Sequence, residues 1–164
     1  MGNYNFRQDL QVSKETEKEV ADILARLYSA KIKEFRTDNK YDILAEIEGS
    51  DVKFEVKEDF MCVDTGNVAV EYECRGKPSG ISTSDADFYI YKLETKDKGI
   101  HYIMHSSDTL KKMIEEREYF RKVNGGDKGS NTMNYLFKYD TFLNSGFILP
   151  LDKTDIMWYN SENK

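Results

Sequence analysis

The sequence holds only 2 prolines and 2 cysteines in 164 residues, and it has no long hydrophobic run. A membrane-spanning helix needs ~20 consecutive apolar residues, so no membrane association is expected. With so little proline and no low-complexity tract, no linker is visible, and a single domain over residues 1–164 is expected. The first residues, Met1 to Arg7, lack the apolar stretch of a secretory signal. Cys62 and Cys74 are therefore expected as reduced thiols in the cytoplasm. Two cysteines also fall short of the four ligands of a structural zinc site. Histidine is equally scarce: His101 and His105 are four apart, the zinc spacing of a helix, but His101-Tyr-Ile-Met-His105 reads as strand. There, positions four apart are separated by ~13 Å. An excess of positive charge is missing too. The net charge of −6 weighs against nucleic acid, whose phosphates favour a basic face. A site that gathers acids around a cation would nonetheless leave room for a local basic patch.

What is present is enough to build a core: 39% of residues are hydrophobic and 13% aromatic. Val12 to Tyr28 has apolar positions at Thr16, Val20, Ile23, Leu24 and Leu27, the spacing of an amphipathic helix, with Ser13 as its expected N-cap. Three short strands follow, at 32–36, 41–47 and 52–57, the last two joined by a tight turn at Glu48 to Asp51. Further strands are expected at 67–74, 88–93 and 100–104. A second amphipathic helix is expected over Ser107 to Lys122, with Leu110, Met113, Ile114 and Phe120 on one face. This order predicts an α/β (mixed α+β) fold, a central mixed sheet flanked by helices, with a core at roughly 13–123. Segment 124–164 is left as an unassigned C-terminal extension.

The third strand carries the chemistry. Val52, Phe54 and Val56 point to one face, and Lys53, Glu55 and Lys57 to the other. If Gly49 and Ser50 form the centre of the turn, Asp42 lies opposite Lys57 and Leu44 opposite Glu55. Asp42 and Glu55 then become diagonal neighbours, about 7–8 Å apart at the backbone. Two carboxylates at that distance can converge on one divalent cation, with Lys57 beside them able to contact a phosphate oxygen. The plain alternative is a solvated polar face. The first helix adds an independent sign. Glu17 falls within about 60° of the centre of the apolar stripe, where an acid is costly unless it has a partner. A cation held by the sheet would be one such partner, and a sheet lysine another.

An acid on the first helix, then Asp, then Glu-x-Lys on the next strand resembles the PD-(D/E)XK nuclease superfamily. The matching residues are Glu17, Asp42 and Glu55-Val56-Lys57, in a helix–strand–strand–strand frame. The stretch Thr65 to Glu73, with Gly76 to Ile81 and Ala86-Asp87, is similar to small phage-type and Holliday-junction-resolvase-like members. Tyr41 precedes Asp42 where the superfamily's name has proline. The resemblance covers roughly residues 13–93 and implies a restriction-endonuclease-like core. It implies that Asp42, Glu55 and the Val56 carbonyl hold Mg2+, with Mn2+ as a substitute. Lys57 would orient water or stabilise developing charge, and Glu17 would serve a second metal or position the first. It further implies a cytoplasmic DNA endonuclease of phage or mobile-element type, acting as a homodimer on branched or structured DNA.

Other residues are less marked. Glu71 and Glu73 share a strand face, either as solvent-facing acids or with Glu71 in an accessory role, the one the resemblance favours. Arg75 and Lys77 could clamp phosphate or simply meet solvent. Ser79, Ser82 and Thr83 could donate to phosphate or cap a short helix. Two further readings stand beside the nuclease. One is a catalytically inactive nuclease-fold protein that binds nucleic acid or scaffolds a complex. The other is a plain α+β interaction domain.

Overall fold

The computed structural model describes residues 6–36, 38, 40–125 and 131–151, with side chains from residue 14 onward. Helix α1 (Phe6–Tyr28) leads into strands β1 (Lys31–Phe35), β2 (Ile43–Ile47) and β3 (Ser50–Asp59). A single turn, α2 (Cys62–Thr65), precedes β4 (Asn67–Cys74) and β5 (Lys77–Pro78). Strands β6 (Phe88–Thr95) and β7 (Gly99–Ser106) lead to α3 (Ser107–Glu115), and β8 (Arg121–Gly125) and β9 (Thr132–Lys138) to α4 (Tyr139–Asn144) and β10 (Phe147–Ile148).

The fold is mixed α+β, in two sheets rather than the single sheet expected. The larger has the order β1-β2-β3-β6-β7-β10, and the smaller β5-β4-β9-β8. Among the described residues, β3 and β6 pair in parallel and the other pairings are antiparallel. The large sheet is covered on both faces. On one, Val20, Ile23 and Leu24 of α1 pack with Ile43, Phe54 and Ile90. On the other, Tyr89, Tyr91, Leu93 and Ile103 pack against Val68, Val70 and Phe137 of the small sheet. Alternation along β3 and β6 feeds both layers at once. Burying each large apolar side chain contributes roughly 1.5–3 kcal/mol. Polar contacts fix α1 in place: the Thr16 hydroxyl donates to Glu58, and Glu19 accepts from Lys92 Nζ at 2.9 Å and from the Tyr102 hydroxyl.

Several boundaries differ from the sequence-based expectation. Helix α1 spans Phe6–Tyr28, so Ser13 lies inside it rather than at its N-cap. The turn between β2 and β3 centres on Glu48 and Gly49, both at positive φ (52° and 81°), and pairs Ile47 with Ser50. Two left-handed residues make the tight turn whose twist suits a hairpin. The ladder is thereby shifted two residues from the expected one, with Leu44 opposite Lys53. Helix α3 stops at Glu115, and Arg117 adopts a left-handed φ of 55° before the chain turns into β8. A core boundary at residue 123 falls inside β8. Beyond it, β9 is an inner strand of the small sheet, β10 pairs with β7, and Phe137, Phe142 and Leu149 are fully buried. Among the described residues, no helix is long and apolar enough to cross a membrane.

Candidate functional site

The regular ladder between β2 and β3 ends at Ile43 opposite Phe54. One residue earlier, Asp42 donates its N–H to the Phe54 carbonyl at 2.9 Å. Its Oδ2 accepts the Val56 N–H at 2.8 Å. Asp42 therefore brackets Glu55 from both sides instead of standing diagonal to it. The expected pairing of Asp42 with Lys57 is not formed, but the two-residue shift keeps Glu55 and Lys57 on their expected face. In a strand, the N–H and C=O of one residue leave on the same side, so the Val56 carbonyl also faces this edge beyond the ladder.

That face is half-buried rather than fully open to solvent. It looks into a cleft of roughly 770 Å³ between β3, the middle of α1 and β4. Glu55 is 13% exposed and Lys57 36%, with Lys57 Nζ 3.2 Å from Glu55 Oε1. Glu17 enters from α1 and Glu71 from β4, so the cleft gathers Glu17, Asp42, Glu55, Lys57 and Glu71. Ser79 lines it as well, and its hydroxyl oxygen is buried without a hydrogen-bond partner. Arg75 and Lys77 do not join them. Arg75 is exposed in a left-handed turn, its N–H donating to the Asn131 carbonyl at 3.1 Å, and Lys77 is exposed on β5. Glu73 lies past an irregularity in the β4–β9 ladder and does not line the cleft.

Four carboxylates surround one ammonium, and burial pushes three of them, Glu17, Asp42 and Glu55, above their ordinary range. Burial, then the charges of Asp42 and Glu55, push Glu17 up to about 7 against the pull of Lys14. Asp42 is raised by burial despite the Val56 N–H and Lys57. Glu55 is raised by burial and Asp42 against Lys57. For Lys57, burial opposes the charge, but Glu55, Asp42 and Glu71 more than offset it and hold the ammonium above its ordinary range. Negative charge is thus in excess and partly desolvated, a condition that a divalent cation relieves.

Among the described residues, no three Asp, Glu, His or Cys side chains converge closely enough to hold a metal by themselves. Magnesium does not require that. It takes oxygen ligands, keeps several waters, and is commonly held by one or two carboxylates. Asp42, Glu55 and the Val56 carbonyl supply such a hard-oxygen set.

The mouth of the cleft carries Lys14 and Lys18 of α1 and Arg36 beyond β1, a basic rim that the sequence reading did not single out. A signal for the first two was present. Lys14, Glu17 and Lys18 are three and four apart and so share a helix face. Arg36 is held by the Tyr41 hydroxyl at 3.2 Å and lies 4.9 Å from that ring's centroid.

The remaining reactive groups are structural. His101 accepts or donates at the Tyr139 hydroxyl at 2.7 Å, and His105 Nε2 lies 2.6 Å from the Phe142 carbonyl, both deep in the core. Cys62 and Cys74 form no disulfide. Burial pushes Cys62 up to about 11, which removes it as a nucleophile. No family model matches the chain, and no curated protein matches it.

Proposed function

We propose that this protein is a divalent-metal-dependent nuclease that hydrolyses phosphodiester bonds in DNA. The observation that carries the reading is the bracketing of Glu55 by Asp42 in a cleft that also holds Lys57, Glu17 and Glu71. Asp42, Glu55 and the Val56 carbonyl would hold Mg2+, with Mn2+ as a substitute. When bound, the ion supplies Lewis-acid polarisation of a phosphate and a nucleophile at neutral pH. Among the described residues, the ion-pair partner of Lys57 is Glu55. It stands ready to donate to a non-bridging phosphate oxygen as charge develops there. Glu17, held near neutrality, takes or releases a proton at the pH where the reaction runs. Lys14, Lys18 and Arg36 at the mouth neutralise the phosphates on either side.

The rival reading keeps the fold and the basic rim but not the chemistry: a protein that binds nucleic acid or scaffolds a complex without cutting. The Lys57–Glu55 contact favours it, because the ammonium already answers one of the two carboxylates. Incubation with branched, duplex and single-stranded DNA and with RNA, in Mg2+, Mn2+ or chelator, separates the two. Metal-dependent cutting that Asp42→Ala and Lys57→Ala abolish supports the nuclease. Binding with no cutting of any substrate in either metal supports the rival.

A further inference from the structure

The reaction centre lies in the middle of a groove, not at its end. A second cleft, also roughly 770 Å³, shares Lys57 and Glu71 with the first and continues past them. Both strands that line the groove give it the same direction. Along β3, Glu55 belongs to the first cleft, Lys57 to both, and Asp59 to the second. Along β4, Cys74 belongs to the first, Glu71 to both, and Ala69 and Asn67 to the second. Alternate strand residues are spaced by about 6.6 Å, so the floor from Glu55 to Asp59 runs about 13 Å. Ties between the sheets form the floor of the second cleft: Asp59 Oδ2 accepts the Ala69 N–H at 3.0 Å, and the Tyr91 hydroxyl donates to the Ala69 carbonyl at 3.2 Å.

Each half of this groove is lined by one half-exposed phenylalanine and by cations. In the first cleft Phe35, 46% exposed, precedes Arg36, which pairs with Asp38 and Glu34, and Lys14 and Lys18 line the same cleft. In the second, Phe60, 49% exposed, shares the lining with Arg121 of β8, whose guanidinium lies 5.8 Å from the Phe120 ring. Phenylalanine at half exposure gains little from the fold, and neither ring belongs to the two core clusters. An unpaired nucleotide offers what such a position lacks, a flat base to stack and a phosphate for the cation. Bases in a duplex are already stacked on one another and cannot meet these rings.

Resting on the nuclease reading, we infer that the groove threads a single-stranded segment of DNA, with bases on Phe35 and Phe60 and the Lys57 centre between them, so that cleavage is internal. The test measures binding in chelator and cutting in Mg2+ separately. By anisotropy, a labelled oligothymidylate should bind more tightly than the same length of duplex. Phe35→Ala and Phe60→Ala should each weaken that binding roughly tenfold and leave duplex binding unchanged. In Mg2+, the wild type should open circular single-stranded DNA, which has no ends. A preference for duplex, or unchanged binding by both variants, overturns the threaded strand. Cutting of linear but not circular DNA overturns internal cleavage and leaves the nuclease standing. No cutting of any substrate overturns the nuclease reading, and the inference with it.

Discussion

Asp42 accepts the Val56 N–H at 2.8 Å, so the carboxylate that the proposed function makes a Mg2+ ligand is also a structural cap. The Val56 N–H lies beyond the end of the β2 ladder, and Asp42 supplies its partner. The two roles separate by substitution. Asp42→Asn keeps an oxygen for the N–H but loses the charge, so stability should hold while the Mg2+-induced rise in Tm disappears. Asp42→Ala should lose the Mg2+ response and also about 1–2 kcal/mol of stability from the abandoned donor. Equal melting of the two variants in chelator would deny Asp42 its structural role.

Lys57 should behave differently from its acidic neighbours. Loss of one electrostatic donor at a reacting phosphate costs ~10²–10³ in rate, so Lys57→Ala should cut far more slowly while Mg2+ still raises its Tm. Single-turnover cleavage and thermal melts on the same preparation read the two effects. Loss of the Mg2+ response in Lys57→Ala would move this residue from the chemistry to the holding of the ion.

Glu17 makes stability depend on pH. Its folded pKa, near 7, lies above its ordinary value of 4.5. The fold therefore favours its protonated form. The stability this carries is complete below pH 4.5 and is lost as pH rises toward and through 7. In chelator, the wild type should fall behind Glu17→Gln in urea midpoint across that window. Parallel curves for the two proteins would mean that Glu17 lies outside the charge cluster.

His105 works in the opposite direction. Burial lowers it to about 4 even though its Nε2 meets the Phe142 carbonyl. Protonation thus favours the unfolded chain, and stability present above its ordinary 6.5 is lost as pH falls toward 4. The loss should approach about 3 kcal/mol. Urea melts at pH 7.5 and 4.5, with His105→Gln as a reference lacking this titration, check the sign and the size.

Gly80 positions Glu71 through the backbone. Its φ is +54°, and a Cβ there would overlap the Glu71 carbonyl oxygen. Gly80→Ala should cost about 2 kcal/mol and reduce cutting beyond what the stability loss explains, because the β4 edge must move. Activity at a temperature where the variant is fully folded isolates the second effect.

The local parts of this architecture were legible in the sequence. The stripe of Val20, Ile23 and Leu24 marked α1, and the alternation around Glu55 marked β3. The turn was misplaced by two residues because Glu48 takes a left-handed conformation that a non-glycine residue seldom signals. The error was harmless to the faces, since an even shift preserves which side each residue takes. Arg117 hid the end of α3 in the same way, and Phe120 fell into helical phase by coincidence. The second sheet was invisible for another reason. It pairs Val70 with Tyr135 and Glu71 with Asn134, partners whose separation leaves no local pattern. Without it, the cleft, the place of Glu71 and the exclusion of Arg75 could not be read.

The cleft's acids differ in when they can meet during folding. Asp42 and Glu55 belong to one hairpin, and short-range closure brings such neighbours together early. Glu17 arrives only when α1 docks, and Glu71 only when β4 has found β9 from the far end of the chain. A nascent or partly melted molecule would carry the Asp42–Glu55 pair without the cleft that the second sheet closes. Under the proposed function, DNA would be held at that pair only after the last long-range pairing had formed.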